Sequence, residues 1–219
     1  MREVVTTNVF RSPLLIDPMD RDTIVNDLYY KRRDTKAATV TPEELAAKKM
    51  KMLMKLDGRV YLPIVNFLSC IVAGGQNVKR GKKGISTAET TTLFEFFELL
   101  DPEVEITGID GQPPKWVTDI RMGWGKQAKV PTAVAIIRPR IDEAMFQLRF
   151  RYNEKIVGRQ TVVDLLTQSW LTKGIGSFRP GKGRGPYGRA VITDWVESVA
   201  QDVISQIKFV LPPEDRKAA

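Results

Sequence analysis

Strict alternation of apolar and polar residues predicts a β-strand over Met145–Tyr152. Successive side chains of a strand point to opposite faces, so each face can be assigned from the sequence. Four apolar residues share the face that is predicted to meet the core: Phe146, Leu148, Phe150 and Tyr152. The other face is polar and carries Gln147, Arg149 and Arg151.

Five further segments supply the remaining large elements. Runs of β-branched and apolar residues predict strands at 2–9, 133–140 and 190–195, and apolar residues at helical spacing predict helices at 64–73 and 161–172. The resulting order, βαββαβ, predicts an α+β fold with a ferredoxin-like sheet, similar to the RNA-recognition motif, and two helices on one face. The open face of such a sheet commonly supports single-stranded nucleic acid.

The domain organisation follows from this order. We expect one domain over residues 1–211, with large insertions at 20–62 and 75–130 around the first helix, and a solvated tail at 212–219. A chain of 219 residues can bury a core of its own.

Smaller signals divide the insertions and the C-terminal part. Residues 20–33 fit a helix, and a second helix is predicted to begin at Thr41-Pro42, where a capping threonine precedes proline and two acids. Asp57-Gly58 predicts a tight turn. Residues 101–130 are rich in glycine and proline and indicate a functional excursion or short strands. Residues 199–207 fit a final amphipathic helix.

Composition excludes several classes of protein. The sequence has no histidine, which excludes Ser-His-Asp and Cys-His catalysis and imidazole metal sites. The single cysteine, Cys70, excludes an internal disulfide and a thiolate zinc site, and its apolar neighbours predict a buried structural thiol. We therefore expect no catalytic residue, no cofactor and no metal. Apolar runs are too short for a membrane span and no signal peptide is evident, so a cytoplasmic protein without a membrane partner is expected.

The formal net charge of +8 favours an acidic partner. Its cations cluster at residues 31–36, 79–83 and 115–140 and in the glycine-rich segment Gly174–Arg189, which holds six glycines, four cations and no acid. Glycine lets backbone N–H groups approach an anion closely, and cations with aromatic faces suit nucleic acid. The nucleic-acid-binding residues predicted here are Gly174, Gly176, Phe178, Arg179, Gly181, Lys182, Gly183, Arg184, Tyr187 and Arg189. The alternative is a helix C-cap and turn for the glycines, and core packing for Phe178 and Tyr187.

Two other groups of cations are candidates for the same interface. Lys79, Arg80, Lys82 and Lys83 lie in a predicted basic flexible loop. Arg138, Arg140, Arg149 and Arg151 fall on two strands predicted to be adjacent, where they would form a row of arginines beside the glycine-rich segment. Alternatively, these arginines are the solvated side of an antiparallel pair.

The segment Gly174-Ile-Gly-Ser-Phe-Arg-Pro-Gly-Lys-Gly183 resembles the glycine-rich loop of the RAMP superfamily, the ferredoxin-like RNA-binding proteins of CRISPR effector complexes. Its two glycine pairs are spaced about one residue closer than is usual in that family, or one residue further apart if Gly183-Arg184-Gly185 is taken as the second pair. Gly58-Arg-Val-Tyr-Leu-Pro63 also resembles the helix entry of CRISPR backbone subunits. The layout is most similar to uncharacterised phage-encoded RAMP-like proteins, through Ser12-Pro-Leu-Leu15, Arg138-Pro-Arg140 and the C-terminal motif.

This resemblance implies a backbone-type subunit that assembles along a single strand and contacts its phosphates. Some RAMP proteins cut RNA with histidine, which this chain lacks, and others with an aspartate on a flexible loop, for which Asp34 is the possible counterpart.

The sequence therefore predicts a non-catalytic protein that binds single-stranded nucleic acid, either RNA or DNA, with RNA favoured by the resemblance. Its partners are expected to be the strand and either copies of itself or subunits of a nucleoprotein complex. One alternative is a structural or inhibitory protein that docks onto such a complex by fold mimicry. The other is a carboxylate or metal-dependent nuclease, which would need acids such as Asp34, Asp110, Asp119 and Asp142 to cluster in space.

Overall fold

The computed structural model describes residues 1–18, 41–127, 130–182 and 185–199. Its helices are α1 (Pro42–Lys51), α2 (Ile64–Gly74) and α3 (Arg159–Gln168), with a π-helical turn, Ser169–Lys173, after α3 and 3-10 turns at Gly75–Asn77 and Leu93–Glu95. The strands in these residues are β1 (Arg2–Phe10), β2 (Leu14–Leu15), β3 (Val60–Pro63), β4 (Lys79–Arg80), β5 (Lys83–Gly84), β6 (Phe97–Leu99), β7 (Glu103–Thr107), β8 (Val117–Gln127), β9 (Val130–Ile141), β10 (Met145–Tyr152) and β11 (Ala190–Val199).

The main sheet has the strand order β11-β1-β10-β7-β3 in the described residues, and β6 also pairs with β10. Its pairings are antiparallel. β1 lies between β11 and β10. Along the chain, α2 follows β3 and α3 follows β10. The predicted mixed α/β class with an antiparallel sheet is confirmed, and the strand order is consistent with a ferredoxin-like fold.

One predicted strand belongs to a different sheet. Residues 133–140 lie in β9, which pairs with β8 and β2 in a separate three-stranded sheet and does not pair with β10. The place beside β10 is taken by β6 and β7, which come from residues 75–130. β7 has only two buried apolar residues, Val104 and Ile106, so its alternation is too short to stand out from glycine- and proline-rich surroundings.

The core lies between the main sheet and the helices α2 and α3. The predicted apolar face of β10 is confirmed, since its four aromatic and aliphatic side chains are buried. The Phe146 ring centroid lies 5.1 Å from that of Phe67 on α2 and 5.7 Å from that of Trp170 in the π-helical turn. The Trp170 indole N–H donates to Asn8 Oδ1 on β1 at 3.0 Å, so these buried polar groups are satisfied.

The closest approach between the helices occurs where α2 ends. A Cβ atom at Gly74 would lie 2.0 Å from Ser169 Oγ and 2.7 Å from Ser169 Cα, so only glycine fits this crossing. One turn earlier, the Cys70 thiol donates to the Ser169 carbonyl oxygen at 3.1 Å. Burial raises the pKa of Cys70 to about 12, and the prediction of a buried structural thiol is confirmed.

The local signals have mixed outcomes. Thr41 caps α1 through a reciprocal capping box with Glu44, as the sequence predicts. Gly58 has φ +79° in the turn after α1, which confirms the Asp57-Gly58 prediction. The strand predicted at 190–195 continues to Val199, the residue where a helix was expected to begin. The predicted helix at 20–33, the rest of 199–207, and the tail at 212–219 lie outside the described residues.

Residues 101–130 contain β7 and all of β8, so strands account for much of this region. In the described part of the chain, no helix combines the length and the apolar character that a membrane span requires.

We expect Gly74→Ala to destabilise the fold by about 1–3 kcal/mol, because the new methyl group must push the two helices apart. Urea unfolding measures this change. Gly158→Ala is the matched control, since Gly158 has a negative φ and open space around it. Gly158 is the N-cap of α3, where alanine is less favourable than glycine, so this variant should lose under about 1 kcal/mol of stability. Equal effects of the two variants would contradict the close crossing.

Candidate nucleic-acid interface

The glycine-rich segment folds over residues 11–15, which comprise β2 and the short connection that leads to it from β1. The hydrogen bonds that join them run from Ser177 N to Leu15 O (2.7 Å), from Gly188 N to Pro13 O (2.9 Å), from Arg189 N to Ser12 Oγ (3.0 Å) and from Arg11 N to Arg189 O (2.8 Å). Two of the motifs that carry the RAMP resemblance, Ser12–Leu15 and the C-terminal motif, are therefore in direct contact.

Close backbone contacts explain several glycines of the segment. Gly176 and Gly188 have φ of +81° and +69°, and Cβ atoms there would lie 2.5 Å from Leu15 O and 1.7 Å from Ile175 O. Gly174 has φ +70° and ends the π-helical turn, which confirms the helix-cap interpretation for this residue. Folding alone thus requires glycine at these three positions.

Backbone donors of the segment are largely used within the chain. The N–H of Gly174 donates to Ser169 O at 3.0 Å, and the N–H of Gly181 donates to Lys173 O at 2.9 Å. These two groups are not free donors for a phosphate, contrary to the expected backbone cradle. Gly183 and Arg184 lie outside the described residues.

The aromatic residues of the segment stack with an arginine that the sequence did not single out. The ring centroids of Phe178 and Tyr187 are 6.1 Å apart, and the Arg121 guanidinium lies 4.3 Å from the Tyr187 ring centroid and 5.6 Å from that of Phe178. Arg121 donates to both carboxylate oxygens of Asp119, at 2.6 and 2.9 Å, and to the Tyr187 hydroxyl. The hydrogen bond to Asp119 raises the pKa of Arg121. The only signal in the sequence was the i, i+2 spacing of the two residues, which places them on one face of β8.

Phe178 is held in a backbone conformation that is unusual for a bulky residue. Its φ is +51°, and it is the only described residue other than glycine with a positive φ. A Cβ atom at Gly185 would lie 1.8 Å from the Phe178 carbonyl oxygen, so the absence of a side chain at Gly185 makes room for this conformation. The residue remains 37% exposed.

Cations without an acidic partner in the described residues lie on the β4–β5 hairpin, at Lys173 and in the glycine-rich segment, and two contacts of Lys173 link these regions. The Lys173 ammonium donates to Gln76 Oε1 at 3.3 Å, next to the hairpin, and the Lys173 carbonyl accepts from Gly181 N–H, next to Lys182. We call this surface the basic strip; its members are Lys79, Lys82, Lys83, Lys173, Arg179 and Lys182. Within the described residues, none of the six has a carboxylate partner.

Three details complete the description of these cations. The region 79–84 was expected to be a flexible loop but is a two-stranded hairpin with Gly81 at φ +64° in its turn. Arg179 donates to the Gly174 carbonyl oxygen at 2.9 Å, which fixes its guanidinium close to the backbone. Arg189 is exposed and adjoins Arg11, an exposed cation that the sequence did not single out.

The predicted row of four arginines does not form. Arg138 and Arg140 lie in the three-stranded sheet, whereas Arg149 and Arg151 lie in the main sheet, because β9 and β10 do not pair. Each also has an acidic partner: Arg138 with Asp17 (2.8 Å), Arg140 with Asp142 (2.8 Å), Arg149 with Asp101 (3.0 Å) and Arg151 with Glu3 (2.9 Å). Arg80 in the hairpin is likewise paired, with Glu95 at 2.8 Å.

The acids proposed for a nuclease are only partly brought together. Arg140 bridges Asp142 and Asp119, with Asp119 3.6 Å away and already bound by Arg121. Asp110 accepts a hydrogen bond from Gln112 N–H in a turn, and Asp34 lies outside the described residues. In the described ranges, no group of three or more acidic or cysteine side chains could hold a metal ion.

No family model matches the sequence, and a search of the curated proteins also finds no match. Among solved structures, the chain is similar to a type III-B Cmr-beta chain in a cryo-EM structure with cognate target RNA, at 12% sequence identity and a TM-score of 0.48. That match covers 90% of this chain and 60% of the Cmr-beta chain. The chain is also similar to Cmr6 from Pyrococcus furiosus, at 11% identity and a TM-score of 0.36, covering 88% of this chain and 98% of Cmr6.

The backbone of Phe178 yields a stability prediction. A left-handed conformation costs an L-residue about 1–2 kcal/mol but costs glycine little, so we expect Phe178→Gly to be more stable than Phe178→Ala by about 1 kcal/mol. Chemical denaturation of the two variants measures the difference. At ordinary positions with negative φ the alanine variant is the more stable one, and that order here would contradict the positive φ.

Proposed function

We propose that the chain binds single-stranded RNA without cutting it, through the basic strip, and acts as a backbone-type subunit of a nucleoprotein assembly. The observation that carries the proposal is the distribution of paired and unpaired cations. The arginines of the two sheets are neutralised by nearby carboxylates. The cations of the strip have no such partner in the described residues and stay available for phosphates.

This arrangement of cations should bind a polyanion more tightly than a single anion. Each phosphate that a lysine or arginine neutralises releases condensed counterions, so the gain grows with the number of cations along the path of the strand. Contacts of this kind do not depend on the base sequence. The strip is therefore suited to hold a strand of any sequence by its backbone.

Side chains carry the proposed phosphate contacts. The N–H groups of Gly174 and Gly181 donate within the chain and do not contact phosphate in the proposal. Their role is to fix the backbone that carries Arg179 and Lys182. Gly176, Phe178, Tyr187 and Arg189, together with Gly183 and Arg184, stay in the proposed interface as predicted neighbours of the strand.

The preference for RNA and the assembly along a strand rest on the sequence resemblance of the glycine-rich motif to RAMP proteins, including the phage-encoded ones. A strand longer than one basic strip would continue onto the next copy or onto another subunit. Arg138, Arg140, Arg149 and Arg151 contribute little to this interface in the proposal, because their charges are already compensated.

Reversing two charges of the strip tests the proposal. For single strands, the slope of log K against log salt is about −0.7 per phosphate contact, so Lys82→Glu combined with Lys182→Glu should make it shallower by about 1.4. We also expect affinity for a uridine oligonucleotide to fall at least about tenfold at low salt. Fluorescence anisotropy at several salt concentrations measures both quantities.

The matched control is Lys115→Glu combined with Lys155→Glu, which changes the net charge equally at exposed lysines outside the strip. An equal loss in the control would show that only the total charge matters. Failure of the unmodified protein to bind single strands, in a preparation free of nucleic acid, would favour the alternative of a protein that docks onto a nucleoprotein complex. Strand cleavage that depends on Mg²⁺ would contradict the non-catalytic role.

A further inference from the structure

A cleft of about 640 Å³ opens beside the glycine-rich segment and is not explained by the binding of phosphates along the strip. It lies between the start of α2, the segment 16–18 and residues 176–182. The lining residues that matter here are Leu62, Pro63, Asn66, Ser177, Phe178 and Lys182. Its volume falls within the range typical of small-molecule sites, about 300–1,000 Å³.

The walls of the cleft combine the features that a nucleobase needs. Leu62 is buried and Pro63 is exposed beside it, so one wall is apolar, and the exposed face of Phe178 offers a flat ring. Asn66 donates one amide hydrogen to the Pro63 carbonyl oxygen at 3.3 Å. In the part of the chain that the structure describes, the Asn66 Oδ1 atom and the Ser177 hydroxyl have no hydrogen-bond partner, so both can meet polar edges of a base.

Among the described residues that line the cleft, the one acid does not repel a nucleotide. Asp17 is held between two cations, the Lys49 ammonium at 2.6 Å and the Arg138 guanidinium at 2.8 Å. The surrounding charge is therefore positive once Arg179 and Lys182 are included.

Arg179 and Lys182 link the cleft to the basic strip, since both belong to each of them. A strand whose phosphates lie on the strip must therefore pass the opening of the cleft. We propose that the cleft takes one unstacked base of the bound strand, placed against Phe178 and within reach of Asn66 and Ser177, with its phosphate near Lys182. This inference rests on the proposed function and adds a base-binding site to a surface that otherwise contacts only the backbone.

The contributions of the base and of the phosphates to affinity can be separated by comparing a uridine oligonucleotide with an abasic ribose-phosphate strand of equal length. Stacking of one base on an aromatic side chain commonly changes affinity about tenfold, so we expect the protein to prefer the intact strand by about that factor or more. Asn66→Phe fills the cleft without a change of charge and should abolish this preference while leaving the salt dependence unaltered. Ser177→Leu fills the same cleft from the opposite side and gives an independent second variant.

Val65→Phe is the matched control, because Val65 is 59% exposed on the same helical turn and does not line the cleft. This variant should keep the preference for the intact strand. Equal affinity of the unmodified protein for both strands, with a steep salt dependence, would overturn the base site and leave the proposed function standing. A base preference that survives both cleft-filling substitutions would also overturn it, whereas no binding to either strand would refute the proposed function itself.

Discussion

The contact between the glycine-rich segment and residues 11–15 is the constraint on which the rest of the molecule depends. Residues 11–13 connect β1 of the main sheet to β2 of the three-stranded sheet, while the glycine-rich segment connects the π-helical turn after α3 to β11. Hydrogen bonds at both ends of the segment therefore fix the junction of the two sheets and the path into the last strand. Because Gly176 and Gly188 allow backbone to approach backbone, the junction has no room for side chains at these positions.

That junction also decides where positive charge is available. Arg121 reaches over the segment to stack on Tyr187, but its charge is held by Asp119, so it stiffens the site and adds little to the field outside. The same holds for Arg138, which neutralises Asp17. Lys173 and Lys182, at the other side of the segment, have no carboxylate close by in the described residues. An exposed ion pair contributes little to stability, and its main consequence here is to remove those arginines from the field that a polyanion meets.

Sequence periodicity succeeded where one element carries a long and regular signal. The alternation of Phe146, Leu148, Phe150 and Tyr152 predicted both the strand and its buried face, and the capping box at Thr41 fixed the start of α1. Periodicity does not predict which strands pair with each other. β9 is as apolar as a central strand, but its partners are β8 and β2, and long-range contacts decide this pairing. The prediction of a row of arginines was wrong because it assumed that β9 pairs with β10.

In the candidate site, too, local sequence signals predicted part of the structure and long-range contacts decided the rest. Composition singled out the glycine-rich segment and its cations, but could not tell a glycine needed for a phosphate from one needed for a tight backbone contact. Both interpretations predict the same residues, and only the partner of each N–H group separates them. Arg121 escaped notice because its partner Tyr187 lies 66 residues further along the chain.

The allocation of hydrogen bonds finally limits what kind of recognition the surface can perform. With backbone donors such as those of Gly174 and Gly181 used for folding, the proposed phosphate contacts of the strip are left to long side chains, which distinguish charge but not base identity. Any discrimination between bases must then come from groups that are fixed in place. Phe178, whose backbone conformation is made possible by Gly185, and Asn66, anchored to Pro63, are such groups, and both line the cleft beside the strip. One segment thus combines close backbone packing that depends on glycine with cations that recognise charge alone, and in the proposed complex the cleft is where the fixed groups of that segment contact the strand.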